Sequence, residues 1–552
     1  MSMLFLSSCG SERPRLAARG AVRRLLARAR HARGAVGDSA WRARRSRRGL
    51  APGVLRAVLC GGAILTLPGA AVLVPVAQAQ DGLFGGGGGN LSASNQMRVW
   101  VADSSRAASY LNDFDLQYAQ GPWFIGVRLE LDEEDRYDPE RLLEIKRRFA
   151  EYRDETINVR AGHFYATFGR GLLLRAQEDE TVRLDRDIDG LYGAVRWSAL
   201  DGQGFIGRPR NDESYMREDL LSGAAFGVRP HRSLRLGGGY VRYDAADPLD
   251  ADASADDAHL GRPLEELVGA NLQWTRGPID ALFEGARRYR RGEIDPRGGW
   301  RGTDEEDGEA YYGSVTIGVP GYTVLLEGKD YLRFDPDYST LPPCNSDGQP
   351  VNEGLDERGF GATLTASPQP EVTIEASGAW AGARHSDSER QSANGSVRRD
   401  WWGAGAIQIG GEWVEETELE SHQYRRWAGP TLEAAYYLTP ATSVTLHGKF
   451  FDWVNHRRGG EEDEYTEINA DLTVSFGMSR AMTLSVIQAS DPVEEYDFDD
   501  TWISLQATWA FGHNHDLTVK IGEERGGIVC SGGVCHYEPP FTGVRVELLS
   551  RF

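Results

Sequence analysis

Beyond its first 80 residues the sequence contains no long hydrophobic run, and the mean hydropathy of the whole chain is −0.45. A transmembrane helix needs about 20 consecutive apolar residues, so this part of the chain is not a helical membrane protein. The sequence also lacks the G-x-S-x-G, H-E-x-x-H and phosphate-loop motifs that place nucleophiles, metals or phosphates in many enzymes. We therefore expect neither an enzyme nor a bound cofactor.

Acidic residues are nearly absent from residues 1–80, which contain 14 Arg, no Lys and only two acids, Glu12 and Asp38. Of the 61 basic and 82 acidic residues of the chain, 47 basic and 80 acidic ones follow this segment, a net charge of −33. A basic leader before an acidic body is a targeting pattern. The negative body also argues against binding of nucleic acid.

An apolar segment from Val54 to Val76 follows the basic stretch and ends in Val76-Ala-Gln-Ala79. A basic region, an apolar region and an A-x-A site together indicate a secretory signal peptide. We expect residues 1–79 to be a basic leader plus signal peptide that is cleaved near Ala79. Residues 80–95, which are rich in Gly, should then form a flexible periplasmic linker.

The last ten residues have the alternation of a β-strand that crosses a membrane. Val544, Val546 and Leu548 fall on the face that ends in Phe552, and charged residues fall on the other, namely Arg545, Glu547 and Arg551. Successive side chains of a strand point to opposite sides, so one face is mainly apolar. Upstream runs of about ten residues repeat this pattern and match the length of a tilted spanning strand.

The connections between these runs alternate between two kinds. The short ones are rich in Gly and Pro: Ala119–Pro122, Arg229–Arg232, Arg276–Pro278, Val319–Gly321, Ser367–Pro370, Leu438–Ala441, Gly477–Arg480 and Gly512–His515. The long ones are mostly acidic: Asp132–Asp138, Asp244–Asp257, Gly292–Glu309, Asp335–Glu357, Glu461–Glu464 and Asp491–Asp500. Outer-membrane barrels have short periplasmic turns and longer extracellular loops, whereas a soluble β-sandwich has no reason to sort its loops in this way.

The sequence therefore predicts an all-β fold, a single large antiparallel transmembrane β-barrel formed by residues 96–552. Counting back from Phe552 gives about 24 strands, with a range of 22–24. One pair of neighbouring strands is expected at Trp401–Gly410 and Glu412–Tyr424. Barrels with about 22 strands usually contain a plug. Only about sixteen residues separate Ala79 from the first expected strand at Gln96, too few for the plug domain that TonB-dependent transporters carry there.

Segment 166–189 is the best candidate to fill the lumen. It mixes Leu and Phe with charged residues, and Gly169 and Gly171 permit positive φ on either side of Arg170,. We predict that it folds inward at an extracellular strand end and constricts the pore. Opposed charges there would set a transverse field that selects solutes, and the candidates are Arg170, Arg175, Glu178, Asp179, Arg183 and Arg186. An ordinary capped loop is the alternative.

Asp185, Asp187 and Asp189 precede Gly190 and match the opening of a calcium-binding loop. The acidic residue that should follow six positions after the Gly is replaced by Arg196, which excludes a full EF-hand loop. A looser calcium site at the three Asp residues is the remaining hypothesis. The alternative is a turn that leads into the next strand.

Cysteine is scarce, with five residues in the chain. Cys530 and Cys535 flank Ser-Gly-Gly-Val in an expected extracellular loop of an exported protein, where oxidation is favoured. We predict a disulfide between them, which would close a small ring and stabilise the fold by about 2 kcal/mol or less. The alternative is that the two cysteines supply half of the ligands of a metal site. Cys344 is left over.

Three short segments resemble an uncharacterised family of bacterial outer-membrane β-barrel proteins: Gly162–Gly190, Gly526–Cys535 and Pro539–Phe541. The closing strand also resembles the terminal strand of bacterial outer-membrane barrels, which typically ends in Phe. The resemblance implies a barrel fold, an outer-membrane location and recognition of Phe552 by the barrel-assembly machinery. It implies no substrate.

These patterns favour a porin-like channel or transporter for small solutes, in contact with outer-membrane lipid and lipopolysaccharide. A non-conducting surface receptor or adhesin that acts through the acidic loops is the alternative. An outer-membrane hydrolase is a third hypothesis, since such enzymes pair Ser or Asp with His at the outer rim.

Overall fold

The computed structural model describes the barrel and part of its loops. The described residues are 89–102, 108–132, 143–210, 219–244, 264–291, 307–334, 336, 338–344, 356–385, 388–401, 403–418, 423–456, 462–477, 479–490, 501–512, 514–531 and 534–552. The predicted leader, its cleavage site and the first part of the Gly-rich linker lie outside them. None of the described residues belongs to a helix that is long and apolar enough to cross a membrane.

Twenty-four long strands, each antiparallel to its neighbours, form one sheet. They are β1 (Asn90–Ala102), β2 (Ala108–Gln120), β3 (Trp123–Asp132), β4 (Glu144–Arg153), β5 (Ile157–Phe164), β10 (Ile188–Trp197), β11 (Leu200–Pro209), β12 (Leu220–His231), β13 (Leu234–Asp244), β14 (Leu264–Arg276), β15 (Ile279–Arg291), β16 (Gly308–Val319), β17 (Tyr322–Leu332), β18 (Glu357–Gln369), β19 (Val372–Ala383), β20 (Glu389–Trp401), β21 (Gly405–Glu418), β22 (Gln423–Thr439), β23 (Thr442–His456), β24 (Glu462–Phe476), β25 (Arg480–Ala489), β26 (Thr501–Phe511), β27 (His515–Glu524) and β30 (Phe541–Arg551).

In the described part of the chain, six short strands lie within two of the connections. Between β5 and β10 they are β6 (Ala166–Phe168), β7 (Leu174–Ala176), β8 (Glu178–Asp179) and β9 (Leu184–Asp185), with a 3-10 turn at Glu180–Val182. Between β27 and β30 they are β28 (Gly527–Ser531) and β29 (Val534–Glu538), which form a hairpin. Residues 165–187, which join β5 to β10, are called the insert below.

The sheet closes because β30 pairs with both β27 and β1. The closing register runs from Ser94 opposite Arg551 to Ala102 opposite Gly543. Phe552 continues the pairing, since its N–H donates to the carbonyl of Ala93 at 2.7 Å. The predicted all-β antiparallel barrel and its count of 24 strands are confirmed.

The two faces of the wall differ in how far their apolar side chains are exposed. On β11 the side chain of Phe205 is 7% exposed, whereas the adjacent Ile206 is 50% exposed. Large apolar side chains such as Phe226, Phe283 and Phe360 are likewise exposed on the face that carries Ile206. Exposed apolar surface of this extent marks a membrane-facing wall, and only a closed barrel lets strands satisfy their backbone hydrogen bonds in lipid. This is the architecture of bacterial outer-membrane proteins.

Short turns lie at one end of the barrel, as the sequence predicts. Gly121 and Gly277 sit in two of them with φ of 57° and 59°, the left-handed conformation that Gly adopts without steric cost. The insert and the strand ends that the longer connections join lie at the opposite end, because strand direction alternates around the sheet.

Two predicted boundaries are wrong. The first strand begins at Asn90, six residues before Gln96, since its small polar residues pair with β2 although they show no apolar alternation. The pair expected at Trp401–Gly410 and Glu412–Tyr424 is also misplaced, because Gly410 and Gly411 lie inside β21, opposite Ser396 and Gly395 of β20. A pair of Gly residues can therefore lie inside a strand that is hydrogen-bonded along its whole length, and it does not by itself indicate a turn.

Replacing Val546 with Lys would put a charge on the lipid-facing side at the middle of β30. We expect the free energy of unfolding to fall by about 2–4 kcal/mol, the cost of Lys near the bilayer midplane. Thr518→Lys, on the inward face of the neighbouring β27, should change it little. Urea titrations of both variants in phospholipid vesicles measure the difference, and equal losses would contradict the assigned faces.

Candidate functional site

The insert leaves the wall at Phe164 and returns to it at Ile188, two inward-facing residues that are 2% and 0% exposed. The chain reverses at Gly169 and Gly171, whose φ angles are 63° and 106°. A side chain at either position would be strained in this conformation. The two Gly residues therefore allow the insert to fold back toward its own wall.

A carboxylate of the wall holds this reversal in place. Glu284 of β15 accepts a hydrogen bond from the backbone N–H of Arg170 at 2.6 Å and another from the N–H of Leu172. Its side chain approaches so closely that a Cβ added to Gly169 would lie 2.3 Å from the carboxylate. Charge-assisted hydrogen bonds to backbone N–H groups are stronger than neutral ones, so Glu284 fixes the tip of the insert against β15.

The first half of the insert is apolar and packs on the inward face of the wall. Phe168, Leu172 and Leu174 are completely buried, and the ring of Phe168 meets the ring of Phe205 edge-on at 5.5 Å. The same cluster includes inward-facing residues of β11 to β17, namely Phe205, Leu221, Val241, Tyr243, Leu267, Ala286, Ala310, Tyr312 and Tyr331. Burial of these side chains anchors residues 166–176 inside the barrel.

A second segment, residues 338–344 after β17, packs against the insert. The backbone N–H of Arg175 donates to the carbonyl of Tyr338 at 2.8 Å, and the N–H of Thr340 donates to the carbonyl of Gly171 at 3.2 Å. Cys344 is 2% exposed in the same apolar cluster, and burial raises the pKa of its thiol to about 12. This segment was expected to belong to an acidic loop, although the run Leu341-Pro-Pro-Cys344 is apolar and could have indicated burial.

The second half of the insert, called the polar half below, carries all the acidic residues of the insert and reaches β3 and β4. Val182 and Leu184 are its buried apolar side chains. The carboxylate of Glu178 accepts hydrogen bonds from Arg128 Nη1 at 2.6 Å and from Arg147 Nη2 at 2.9 Å. Partial burial alone would raise the pKa of Glu178, but the hydrogen bonds and charges of the two guanidinium groups outweigh it and hold the pKa at about 2,. Glu178 therefore stays ionised and links the insert to the wall.

The candidate calcium residues each face a cationic or hydrogen-bonding side chain. Asp185 accepts from the hydroxyl of Tyr165 at 2.6 Å, and Asp187 lies 2.8 Å from Nδ1 of His163 and 3.6 Å from Arg210. Asp189 lies in β10, 3.7 Å from Arg148. Burial and the charge of Asp185 raise the pKa of Tyr165, which remains a proton donor. No group of three or more potential metal ligands occurs among the described residues.

The other predicted constriction residues have separate partners. Asp179 caps the 3-10 turn by accepting from the N–H of Thr181 at 3.0 Å. Arg183 makes a two-point contact with Glu538 of β29 at 3.1 Å, and Arg186 lies 3.4 Å from the carbonyl oxygen of Ser339. Arg175 donates from Nε to Gln177 at 2.8 Å, and the side chain of Arg170 is exposed. Asp179 and Arg175 therefore bond within the insert, whereas Arg183 and Arg186 bind neighbouring segments.

The charged residues of β30 pair with neighbouring strands of the wall. Arg545 lies 3.4 Å from Glu524, and Arg551 lies 2.9 Å from Asp516. Glu547 lies 3.7 Å from Arg98 across the closing seam. These ion pairs span the junctions of β30 with β27 and β1.

The hairpin of β28 and β29 places Cys530 directly opposite Cys535. Directly opposed positions bring two Cα atoms within the range that a disulfide spans. Their side chains lie outside the described part of the chain, and the disulfide stays a prediction.

A family model described as "Family of unknown function (DUF6029)" matches residues 91–251 and 431–552, just over half of the chain. The chain belongs to this family. The first matched stretch contains the whole insert, and the second contains β30. The DUF6029 match supplies no activity, and no curated protein matches the chain.

Several solved barrels share a general likeness with the chain. The siderophore receptor PirA from Pseudomonas aeruginosa is 10% identical, with a TM-score of 0.41 over 84% of this chain and 80% of the other. The translocation pore of the P pilus usher PapC is 11% identical, with a TM-score of 0.45 over 84% and 99%. The outer membrane protein OpdK from P. aeruginosa is 11% identical, with a TM-score of 0.34 over 59% and 94%. The barrel assignment itself rests on the strand pairing described above.

Gly169→Ala should loosen the insert, because the new Cβ strains the backbone and collides with Glu284. We expect local opening to become easier by about 1–3 kcal/mol, the usual strain of a residue forced into this conformation. The measurement is the rate of maleimide labelling of Cys344, in a chain that carries Ser at 530 and 535. Gly193→Ala is the matched control, since nothing lies within 4 Å of its added Cβ. Equal labelling of the two variants would contradict this account.

Acid should release the polar half of the insert. The pKa of Glu178 is lower in the folded chain, at about 2, than its ordinary value of 4.5. Its ion pairs therefore contribute fully above pH 4.5, and the contribution is lost as the pH falls toward 2. We expect pepsin cleavage within residues 177–187 to increase between pH 4.5 and pH 2. Glu178→Gln should remove this increase in cleavage between pH 4.5 and pH 2. A variant that keeps the wild-type pH profile of cleavage would contradict the role of Glu178.

Proposed function

We propose that the protein is a porin-like channel for small solutes in which segment 166–189 narrows the lumen. The observation that carries the proposal is that one connection contacts two parts of the wall and the hairpin between β27 and β30. Its apolar half packs on β11 to β17, its polar half binds Arg128 of β3 and Arg147 of β4, and its 3-10 turn region binds Glu538. A segment held at these three places crosses the extracellular part of the lumen.

Charged and hydroxyl groups line the wall on the side away from the apolar cluster. Thr473 of β24 and Thr483 of β25 are 2.9 Å apart, and Thr508 of β26 and Thr518 of β27 are 3.5 Å apart. His447 and Asp471 face each other at 3.6 Å. Such a surface supports passage of hydrated solutes, because it exchanges hydrogen bonds with them as water does.

The proposal includes the cellular setting. The signal peptide directs export and is cleaved near Ala79. Phe552 serves as the signal for the barrel-assembly machinery, and outer-membrane lipid and lipopolysaccharide surround the apolar belt. The protein acts as a passage and has no catalytic role. The acidic loops that a surface receptor or adhesin would use lie mostly outside the described residues.

Conductance of the purified barrel in a planar bilayer tests the channel. We expect the wild type to conduct, and we expect replacement of Leu172–Arg183 with a Gly-Ser linker of the same length to raise the unitary conductance. The physical reason is that the replacement removes the apolar anchor at Leu172 and Leu174 and the ionic anchor at Glu178 together.

Heat-dependent gel mobility is the control for folding, because a folded barrel migrates differently before and after boiling. Folded protein that conducts in neither form would contradict the channel and favour the non-conducting receptor. Equal conductance and ion selectivity in both forms would contradict the constriction.

A further inference from the structure

Two like charges stand directly opposite each other on the inward face of the wall. Arg128 of β3 and Arg147 of β4 are cross-strand partners, and their side chains are 19% and 13% exposed. Like charges at directly opposed positions of a sheet repel. Such a pair is stable only where anionic groups lie between or beside the two guanidinium groups.

The wall itself supplies one of these anions. Asp115 of β2 accepts from Nε of Arg128, at 3.0 Å and 2.9 Å from its two oxygens. Two positive charges and one negative charge leave the wall with one unit of positive charge at this place. One further carboxylate is required to neutralise this charge.

Glu178 of the insert meets that requirement. It bonds to Arg128 and Arg147 at 2.6 Å and 2.9 Å, and the hydroxyl of Tyr165 lies 3.3 Å from the same carboxylate. The two guanidinium groups of the site therefore come from the wall, whereas its anion comes from a connection between strands. The carboxylate occupies the site as a tethered ligand would.

Glu178 leaves one hydrogen-bond donor of Arg147 without a partner. Arg147 Nε is buried and has no hydrogen-bond partner among the described residues. A guanidinium presents Nε and a terminal nitrogen as a fork that matches both oxygens of a carboxylate. A free carboxylate approaching Arg147 can use this fork, which Glu178 contacts through Nη2 only.

We propose that Arg128 and Arg147 form a binding site for the carboxylate group of a solute, which the insert blocks with its own Glu178. A solute with one carboxylate displaces Glu178 and releases the polar half of the insert, residues 177–187. The charge balance favours a single carboxylate over a doubly charged group, because Asp115 and Asp185 border the site. The consequence for transport rests on the proposed channel, whereas the site itself does not.

Competition between propionate and Glu178 can be measured in the planar bilayer. A group tethered by a short flexible segment acts at an effective concentration of about millimolar, so tens of millimolar propionate should compete. We expect it to raise the open fraction of the wild-type channel at least about twofold. Propionamide has the same shape without the charge and should leave the open fraction unchanged.

Two variants separate the site from general effects of salt. Glu178→Gln should open the channel without propionate and remove its further effect, whereas Glu180→Gln, two residues away in the same insert, should behave as the wild type. Arg147→Gln should abolish the response to propionate. Equal effects of propionate and propionamide on the wild type, or a response that survives Arg147→Gln, would overturn the proposal.

Direct binding keeps the site testable if the barrel conducts nothing. Saturation-transfer NMR on detergent-solubilised protein should detect propionate bound to Glu178→Gln, in which the site is vacated, and much less bound to the double variant Glu178→Gln, Arg147→Gln. Binding without conductance would retain the site and reject the channel. Conductance without binding would reject the site and retain the channel.

Discussion

The fold depends on the pairing of β30 with β1, because no backbone N–H or C=O can remain unpaired in the hydrocarbon of a membrane. A sheet of 24 strands with a free edge would leave a row of such groups in lipid. The closing register between Ser94 and Ala102 satisfies them, and Phe552 extends it by one further pair with Ala93. Closure then fixes which face of every strand points inward, and with it the whole inner surface.

Closing so many strands also creates a lumen wider than the wall side chains can fill. Here the space on one side is occupied by chain from two connections, the insert and residues 338–344. Phe168 and Leu172 supply the apolar contacts, while the backbone bonds Arg175–Tyr338 and Thr340–Gly171 join the two segments. Neither segment buries its apolar side chains alone, so each one depends on the other and on the wall.

Patterns within single strands made the barrel predictable from sequence, because alternation and loop length are local properties. The composition of the insert was local as well, and its mixture of Leu and Arg distinguished it from the acidic loops. Its partners were not predictable. Glu284 lies 114 residues from Arg170, and Glu538 lies 355 residues from Arg183. Glu284 is an ordinary charged residue of a barrel strand, and Glu538 ends the separate hairpin of β28 and β29. Only the closed fold brings both of them to the insert.

The insert is attached to the wall by apolar contacts and by ion pairs, and water affects these two kinds of contact differently. Each fully buried Leu or Phe of residues 166–176 contributes about 1.5–3 kcal/mol by leaving water, and no hydrated solute offers a replacement for that contact. The pairs of Glu178 with Arg128 and Arg147 are partly exposed, and the gain from such pairs is largely offset by the loss of hydration. Opening is therefore expected to begin in residues 177–187 while the apolar half stays docked, as local unfolding begins where few apolar contacts are lost. The division lies near Gln177, after Ala176, the last residue of the insert in the large apolar cluster, and one residue before Glu178.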